Sequence, residues 1–286
     1  GNIILTASDV DNEELIYSIV GGVNIVSMIE NNQVTFTAPS NFNGSESFTA
    51  IVSDGELSDS QSFTVTVTAV NDAPIATIGL SGNTNEDQSV VISLSATDID
   101  GDNLTFSLDT DATNGFVTVN GTFATYTPNQ DFNGSDSFIF SVSDGELSDQ
   151  AEVVLIVDPV NDAPIFLTES IPSVDENVDY LFELIVTDVD NDLSELSLSM
   201  SNAPVWLSLN DFVLQGIPGD DDVGTNYIFF NLTDGQLNTM IEFELIVNAV
   251  NDAPIANSQD LITQEDQSLV IILSAVDIDN DILFYD

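Results

Sequence analysis

The hexapeptide Val-Asn-Asp-Ala-Pro-Ile stands at Val70–Ile75, Val160–Ile165 and Val250–Ile255, 90 residues apart both times. Two shorter acidic signatures recur in the same phase. They are Asp-x-Asp, at Asp9–Asp11, Asp98–Asp100, Asp188–Asp190 and Asp277–Asp279, and Asp-Gly, at Asp54–Gly55, Asp144–Gly145 and Asp234–Gly235. Self-similarity at a fixed period is typical of a tandem array in which each repeat is one structural unit.

The three signatures divide the 286 residues into four predicted repeats. The second (72–160) and the third (161–250) are complete. The first (1–71) lacks about 18 residues at its start, and the last (251–286) is the opening fragment of a further repeat. A gene product rarely starts and stops inside repeats, so we expect this sequence to be a window on a longer protein.

Within each repeat the apolar residues alternate with polar ones, which predicts β-strands with one buried face. Phe138, Phe140 and Val142 alternate in this way, and so do Phe63, Val65 and Val67. We predict seven strands in the second repeat, near 75–80, 90–96, 103–108, 115–119, 122–127, 136–143 and 151–158. Seven short strands in 90 residues indicate an immunoglobulin-like β-sandwich. The predicted fold class is therefore all-β, a tandem array of seven-stranded Ig-like sandwiches.

The junctions between repeats are short and contain no Gly. Pro74, Pro164 and Pro254 each fix their own φ and hold the preceding Ala extended. We expect such a connection to behave as a semi-rigid strut.

The chain carries 49 Asp and Glu residues and has no Lys, Arg, His or Cys, so its formal net charge is -49. This composition excludes nucleic-acid binding, polybasic attachment to lipid, zinc sites with nitrogen or sulfur ligands, and catalysis by amine, imidazole or thiol. No apolar run approaches the roughly 20 residues of a membrane span, so no membrane insertion is expected. An apolar fraction of 43% argues against a disordered acidic tail.

The recurring acids follow core strands or stand at the junctions, so they can meet at one pole of a sandwich. The second repeat offers Asn71, Asp72, Asp98, Asp100, Asp102 and Asp144. Carboxylates so close together repel unless a cation lies between them. Oxygen ligands suit Ca²⁺ and suit Mg²⁺ less well. Each Asp-x-Asp could alone be a simple turn, but four recurrences in phase favour a metal site.

These motifs resemble the calcium-binding signature of cadherins. The resemblance rests on Val-Asn-Asp-Ala-Pro, on Ala96-Thr-Asp-Ile-Asp100, and on a Glu about 12 residues before that Asp: Glu86, Glu176 or Glu265. The segments 126–138 and 142–148 are similar to bacterial cadherin-like tandem repeats of large surface proteins. In the third repeat, the segments 203–209, 216–218 and 222–224 resemble the dystroglycan-type cadherin-homologous variant.

The resemblance implies Ca²⁺ at each junction, held by the Glu of one repeat, the Asn-Asp linker, and the Asp-x-Asp and Asp-Gly aspartates of the next. The first junction then uses Asn71, Asp72, Asp98, Asp100 and Asp144; the second uses Glu86, Asn161, Asp162, Asp188, Asp190 and Asp234; the third uses Glu176, Asn251, Asp252, Asp277 and Asp279. The corresponding residues of the first repeat are Asp9, Asp11 and Asp54. The Leu-Asp-Arg-Glu motif of animal cadherins is missing, and Asp131 and Asp221 take its place, where the first repeat has Asn41.

Three classes of function remain open at this point. The first is a structural segment of an extracellular, calcium-rigidified stalk or filament, either secreted or on the surface of a bacterium or archaeon in a salt-rich setting. The second is an adhesin array that binds a cell-surface partner or polysaccharide, with Trp206 as a stacking residue if it is not simply core. The third, an enzyme such as a glycosidase, is disfavoured because a catalytic site would appear once.

The predicted partners are calcium ions, neighbouring repeats and other copies of the chain. As a variant of the stalk, copies could assemble into a fibre in which one subunit donates its N-terminal strand to the next.

Overall fold

The computed structural model describes residues 1–11, 14–279 and 281–285. The chain forms two compact units, Gly1–Pro159 and Val160–Asp286. In the described residues the regular structure is made of β-strands, apart from one 3-10 turn at Asp220–Asp222. The predicted all-β class is confirmed. The proposed repeat boundaries stay predictions.

The first predicted repeat contains two three-stranded sheets. Its strands are β1 (Asn2–Ile4), β2 (Ile16–Gly21), β3 (Val26–Glu30), β4 (Gln33–Thr37), β5 (Gly44–Ser53) and β6 (Ser58–Val67). One sheet has the order β1-β4-β3 and the other the order β2-β5-β6. Phe36 packs edge-on against Phe48, with ring centroids 5.0 Å apart, and this contact joins the two sheets across the core.

The second predicted repeat is a sandwich of a four-stranded and a three-stranded sheet, with a short additional pair. Its strands are β7 (Ile75–Ala76), β8 (Leu80–Asn85), β9 (Val90–Ser93), β10 (Ala96–Thr97), β11 (Thr105–Thr110), β12 (Gly115–Asn120), β13 (Phe123–Pro128), β14 (Gly134–Ser143) and β15 (Ser148–Asp158). The sheet orders are β11-β14-β15-β8, β12-β13-β9 and β10-β7. Phe138, Phe140, Val153 and Leu155 are almost completely buried between the sheets.

The seven predicted strands of this repeat appear as nine segments because the first two are divided. The first strand begins as β7, which pairs with β10, and continues as β8, which runs parallel to β15 in the other sheet. The chain changes sheets at Gly79, whose φ of +77° is accessible to glycine at little cost. The first strand of the repeat therefore connects the short β10-β7 pair to the four-stranded sheet.

The third predicted repeat has the same topology. Its strands are β16 (Ile165–Phe166), β17 (Val174–Asp175), β18 (Tyr180–Glu183), β19 (Val186–Thr187), β20 (Ser197–Ser201), β21 (Leu207–Asn210), β22 (Val213–Gly216), β23 (Gly224–Thr233) and β24 (Asn238–Asn248). The orders are β17-β24-β23-β20, β18-β22-β21 and β16-β19. The start of the fourth repeat contributes β25 (Ile255–Ala256) and β26 (Ala275–Val276), which pair with each other.

Trp206 belongs to the core of the third repeat. Its ring packs edge-on against Tyr180 at 6.1 Å between centroids, and it is half-buried. Burial also raises the pKa of Tyr180 to about 12. The core interpretation of Trp206 accounts for this placement better than a stacking site does.

Acidic side chains of the sandwiches accept hydrogen bonds from backbone N–H groups of loops. Glu46, on β5, accepts bonds from the backbone N–H groups of Val23 (2.8 Å), Asn24 and Ile25 (both 2.9 Å). These bonds, with the amide of Asn24, lower the pKa of Glu46 to about 2. Asp136 holds the matching loop of the second repeat through the N–H groups of Thr113 and Asn114.

The Glu46 contact predicts a defined dependence of stability on pH. A carboxyl whose pKa is lower in the folded state stabilises that state above its ordinary pKa of 4.5, and the contribution is lost as pH falls towards 2. Glu46→Gln should therefore lower the thermal unfolding temperature of the first repeat near neutral pH, and the difference from wild type should shrink through this window. Unfolding can be followed by the amide NMR signals of β4. A constant difference from neutral pH down to about pH 2.5 would contradict the assignment.

Candidate metal centre

The Asp-x-Asp turn of the second repeat follows β10 directly and is organised by one carboxylate. Oδ1 of Asp98 accepts hydrogen bonds from the backbone N–H groups of Asp100 (2.9 Å), Gly101 (2.9 Å) and Asp102 (3.1 Å). Oδ2 of Asp98 is buried and has no hydrogen-bond partner within the described part of the chain. A buried carboxylate oxygen without a partner is unfavourable, so this atom is a candidate ligand for a cation or a water.

Three carboxylates converge at this turn. Asp98, Asp100 and Asp102 each place one oxygen within 4.8 Å of the other two. The sequence contains no Lys, Arg or His that could balance these charges. A bound cation would relieve their mutual repulsion.

The linker before the second repeat closes on this turn. The backbone N–H of Asp72 donates to Oδ2 of Asp100 at 2.8 Å. The side-chain amide of Asn71 donates to Oδ2 of Asp144 at 2.9 Å. Asn41, from the first repeat, lines a cleft together with Asp72 and Asp98. The structure thus brings the five residues predicted for this junction to one pole of the sandwich, beside a residue of the preceding repeat.

Asp144 is fixed as an acceptor by its own Asp-Gly turn. Its Oδ1 accepts hydrogen bonds from the backbone N–H groups of Glu146 and Leu147, both at 2.7 Å. These bonds and the one from Asn71 lower the pKa of Asp144. The carboxylate is therefore ionised and oriented towards the linker at neutral pH.

The third repeat repeats these contacts. The amide of Asn161 donates to Oδ2 of Asp234 (2.7 Å), and the backbone N–H of Asp162 donates to Oδ2 of Asp190 (2.7 Å). Oδ1 of Asp188 accepts hydrogen bonds from the backbone N–H groups two and three residues further along the same turn, both at 2.9 Å. The hydrogen bond from Asn161 lowers the pKa of Asp234. Among the described residues, no partner is found for the buried Oδ2 of Asp188.

Asn191 was not among the predicted ligands. Its Oδ1 is buried in the same turn and likewise lacks a hydrogen-bond partner in the described part of the chain. The signal was present in the sequence, because Asn191 follows Asp188-Val-Asp190 directly. A search for recurring carboxylates alone passes over it, although an amide oxygen is an equally suitable ligand for Ca²⁺.

At the start of the fourth repeat, a glutamate of the third repeat lies close to the linker and to the Asp-x-Asp turn of the fourth repeat. Carboxylate oxygens of Glu176, Asp252 and Asp279 lie within 4.8 Å of one another. Glu176 is only 3% exposed and accepts a hydrogen bond from the N–H of Val250 at 2.5 Å. The N–H of Asp252 donates to Oδ2 of Asp279 at 2.6 Å.

The two remaining residues predicted for this junction lie beside the cluster. The carboxylate of Asp277 accepts a hydrogen bond from the N–H of Asp279 at 3.1 Å and so shapes the turn. The amide of Asn251 donates to the carbonyl oxygen of Asp252 at 3.2 Å.

The other predicted residues are placed separately. Glu86 is 3% exposed, and the amide of Asn133 donates to its Oε2 at 3.5 Å. Its assignment to the second junction stays a prediction. Asp9 and Asp54 line one cleft of the first repeat, and Asp11 donates its N–H to Oδ1 of Asp9 at 2.8 Å.

A comparison with protein families identifies the fold. The model of the bacterial Ig domain matches residues 1–68 and 71–156, more than half of the chain. The chain belongs to the bacterial Ig domain family. This confirms the predicted Ig-like tandem repeats. The family model does not extend over the third repeat, whose dystroglycan-type assignment stays a prediction. No curated protein matches the chain.

Solved structures with a similar fold include cadherin ectodomains. Repeats EC1-3 of mouse protocadherin-24 are 16% identical, with 86% of this chain and 92% of that chain covered and a TM-score of 0.51. Repeats EC1-4 of the protocadherin PcdhgB3 are 13% identical, with 87% and 71% covered and a TM-score of 0.53. At this identity the likeness shows the fold alone.

An endo-fucoidan hydrolase of glycoside hydrolase family 107 is also similar, at 20% identity and a TM-score of 0.31. The match covers 82% of the bacterial Ig chain and 39% of the hydrolase, so the chain spans about two fifths of that enzyme's length. In the described residues, no helix has the length and apolar character needed to cross a membrane.

The repulsion among the three carboxylates of the turn can be tested at Asp98 without any metal. Asp98→Asn keeps Oδ1 as the acceptor for the turn and removes one of three converging charges. In the presence of a chelator the variant should unfold about 2–6 °C above wild type.

The control is Glu152→Gln, because Glu152 is an exposed carboxylate on β15 away from the turn. It corrects for the general benefit of lowering the net charge. An equal gain in both variants, or no gain in Asp98→Asn, would show that the three carboxylates do not repel one another.

Proposed function

We propose that this chain is a structural segment of an extracellular stalk or filament whose junctions are made rigid by Ca²⁺. The observation that carries the proposal is the cluster of Glu176, Asp252 and Asp279. Its three members come from one repeat, the following linker and the next repeat. An ion bound among them would fasten these three segments to one another.

The donor set supports Ca²⁺ over other metals. Every candidate ligand is a carboxylate or an amide oxygen, and Ca²⁺ takes six to eight oxygen ligands in flexible geometry. Zn²⁺ is disfavoured because nitrogen and sulfur ligands are missing from the sequence. At the first junction Asp72, Asp98, Asp100 and Asp144 would hold the ion, and Oδ2 of Asp98 would gain the partner that it lacks.

The remaining contacts support a mechanical effect of ion binding. The linker is already oriented, because Asp72 and Asn71 donate hydrogen bonds to the turns of the next sandwich. Pro74 restricts the backbone beside them. Without a cation, the carboxylates at each pole repel one another and oppose the closed arrangement. With millimolar calcium, as outside cells, the same carboxylates would bind the ion and hold the linker against the sandwich.

The distribution of the acids also supports a structural role over a catalytic one. The same contacts occur at the openings of the second and third repeats, whereas an active site would be expected once. The proposal accordingly places the segment on a cell surface or in a secreted filament, and treats it as a non-enzymatic spacer.

Small-angle scattering of the whole chain tests the proposed rigidity. We expect the maximum dimension to be larger with about 1 mM Ca²⁺ than with a chelator. The double variant Asp98→Asn/Asp100→Asn should lose part of this difference, whereas Glu152→Gln should keep all of it. An unchanged maximum dimension in wild type with and without chelator would refute calcium-dependent rigidity.

A calcium titration of the third junction tests the cluster itself. Glu176→Gln removes a buried carboxylate from the ligand set, so one class of sites should weaken by about tenfold or more while the others keep their affinity. Isothermal titration calorimetry of the whole chain can resolve the classes. Unchanged affinities at every class, with the variant folded by circular dichroism, would remove Glu176 from the site.

A further inference from the structure

The outer face of β23 and β24 in the third repeat carries an exposed strip of two aromatic residues and a methionine. Tyr227 is 50% exposed, Phe229 is 44% exposed and Met240 is 75% exposed. All three project away from the core, because the alternate residues Ile228, Phe230 and Phe243 are buried. Single exposed apolar residues are ordinary, but contiguous ones point to an interaction surface.

The other repeats do not carry this strip, although their strands pair in the same register. The 90-residue period places Ser137, Ile139 and Gln150 at the equivalent positions of the second repeat, and Ser47, Thr49 and Ser60 at those of the first. The sandwich therefore does not need aromatic residues there. Their presence in the third repeat calls for an explanation other than folding.

Each aromatic side chain has a carboxylate directly across the strand pair. Phe229 pairs with Glu242, and Tyr227 pairs with Glu244. Side chains of directly opposed residues lie about 5 Å apart, and both glutamates are exposed. A cationic group on this face would contact the π-face of a ring and a carboxylate at the same time.

The two ring–carboxylate pairs are separated by one intervening residue along each strand, which is about 7 Å. Alternate side chains of an extended peptide have the same spacing. The same face has a shallow groove whose lining includes the small residues Ser199 and Ser201, together with Phe229, Met240 and Glu242. The groove gives room for an extended backbone next to the pair of Phe229 and Glu242.

We propose that this face, defined by Tyr227, Phe229, Met240, Glu242 and Glu244, docks an extended basic segment of another protein. Lysine or arginine side chains at alternate positions would occupy the two ring–carboxylate pairs. The surface is independent of the calcium sites and adds a lateral binding role to the stalk.

Charge favours a basic segment over the other candidate occupants of this face. A second copy of this chain offers only acidic charged side chains, so it would place carboxylates against Glu242 and Glu244 without a counter-charge. Nucleic acids and sulfated polysaccharides carry the same sign of charge and are repelled. A neutral polysaccharide could stack on the rings but would leave the two carboxylates without an ionic partner.

The test is an NMR titration of the whole chain, saturated with Ca²⁺, with a peptide of alternating Lys and Thr residues. A peptide with Gln in place of Lys and a neutral glucose hexamer serve as comparison probes. We expect the Lys peptide to bind, with shifts confined to β20, β23 and β24, and the two neutral probes to bind at least tenfold more weakly.

Two matched variants separate this face from the general charge of the chain. Tyr227→Ser/Phe229→Ile, which installs the residues of the second repeat, should weaken binding of the Lys peptide by about fivefold to thirtyfold. Glu242→Gln should weaken it by about threefold or more, whereas Glu152→Gln, at the equivalent position opposite Ile139, should change it by less than twofold.

Three results would overturn the proposal. Equal losses for Glu242→Gln and Glu152→Gln would mean that the peptide only follows the overall field of the chain. Full binding by the Tyr227→Ser/Phe229→Ile variant would remove the rings from the surface. Tighter binding of the glucose hexamer than of the Lys peptide would make the face a polysaccharide site instead.

Discussion

The structure depends on hydrogen bonds from backbone N–H groups to carboxylates, in a chain that has no positive side chain. Ion pairs between side chains are impossible, so the carboxylates that are ordered use backbone N–H groups instead. Asp98 gathers three of them, Glu46 gathers three, and the aspartates of the Asp-Gly turns gather two each. Such bonds favour the ionised form and fix the direction of the side chain at once. They satisfy one oxygen of Asp98, whereas its other oxygen has no hydrogen-bond partner in the described residues, and this division defines the candidate site.

The fold was largely predictable because its signals are periodic. The two-residue alternation of Phe138, Phe140 and Val142 specifies both a strand and its buried face, and the recurring Asp-x-Asp specifies where a turn follows a strand. The division of the first strand into β7 and β8 was not predictable, because alternation does not reveal which sheet a strand joins. The acids of the first junction were expected to share a pole, and the structure places Asp72 against Asp100 and Asn71 against Asp144.

Other contacts depend on register and loop geometry, which composition does not encode. In the sequence, Glu46 is typical of a surface acid on a strand. Its hydrogen bonds to the loop at Val23–Ile25 become visible only in the folded structure. The pairing of Phe229 with Glu242 likewise follows from the register of β23 and β24. Asn191 escaped prediction for a different reason, since its oxygen becomes significant only once it is found buried beside that of Asp188.

The route of the first strand has a mechanical consequence. In the second repeat β8, near the start of the sandwich, runs parallel to β15 at its end, with six residue pairs between Leu80–Asn85 and Val153–Asp158. Tension applied through the two ends of that sandwich pulls these strands in opposite directions, so the ladder between them is loaded in shear and its hydrogen bonds share the force. In the third repeat the corresponding parallel pair, β17 with β24, contains two residue pairs. The ladder that would share such a force is therefore shorter in the third repeat than in the second.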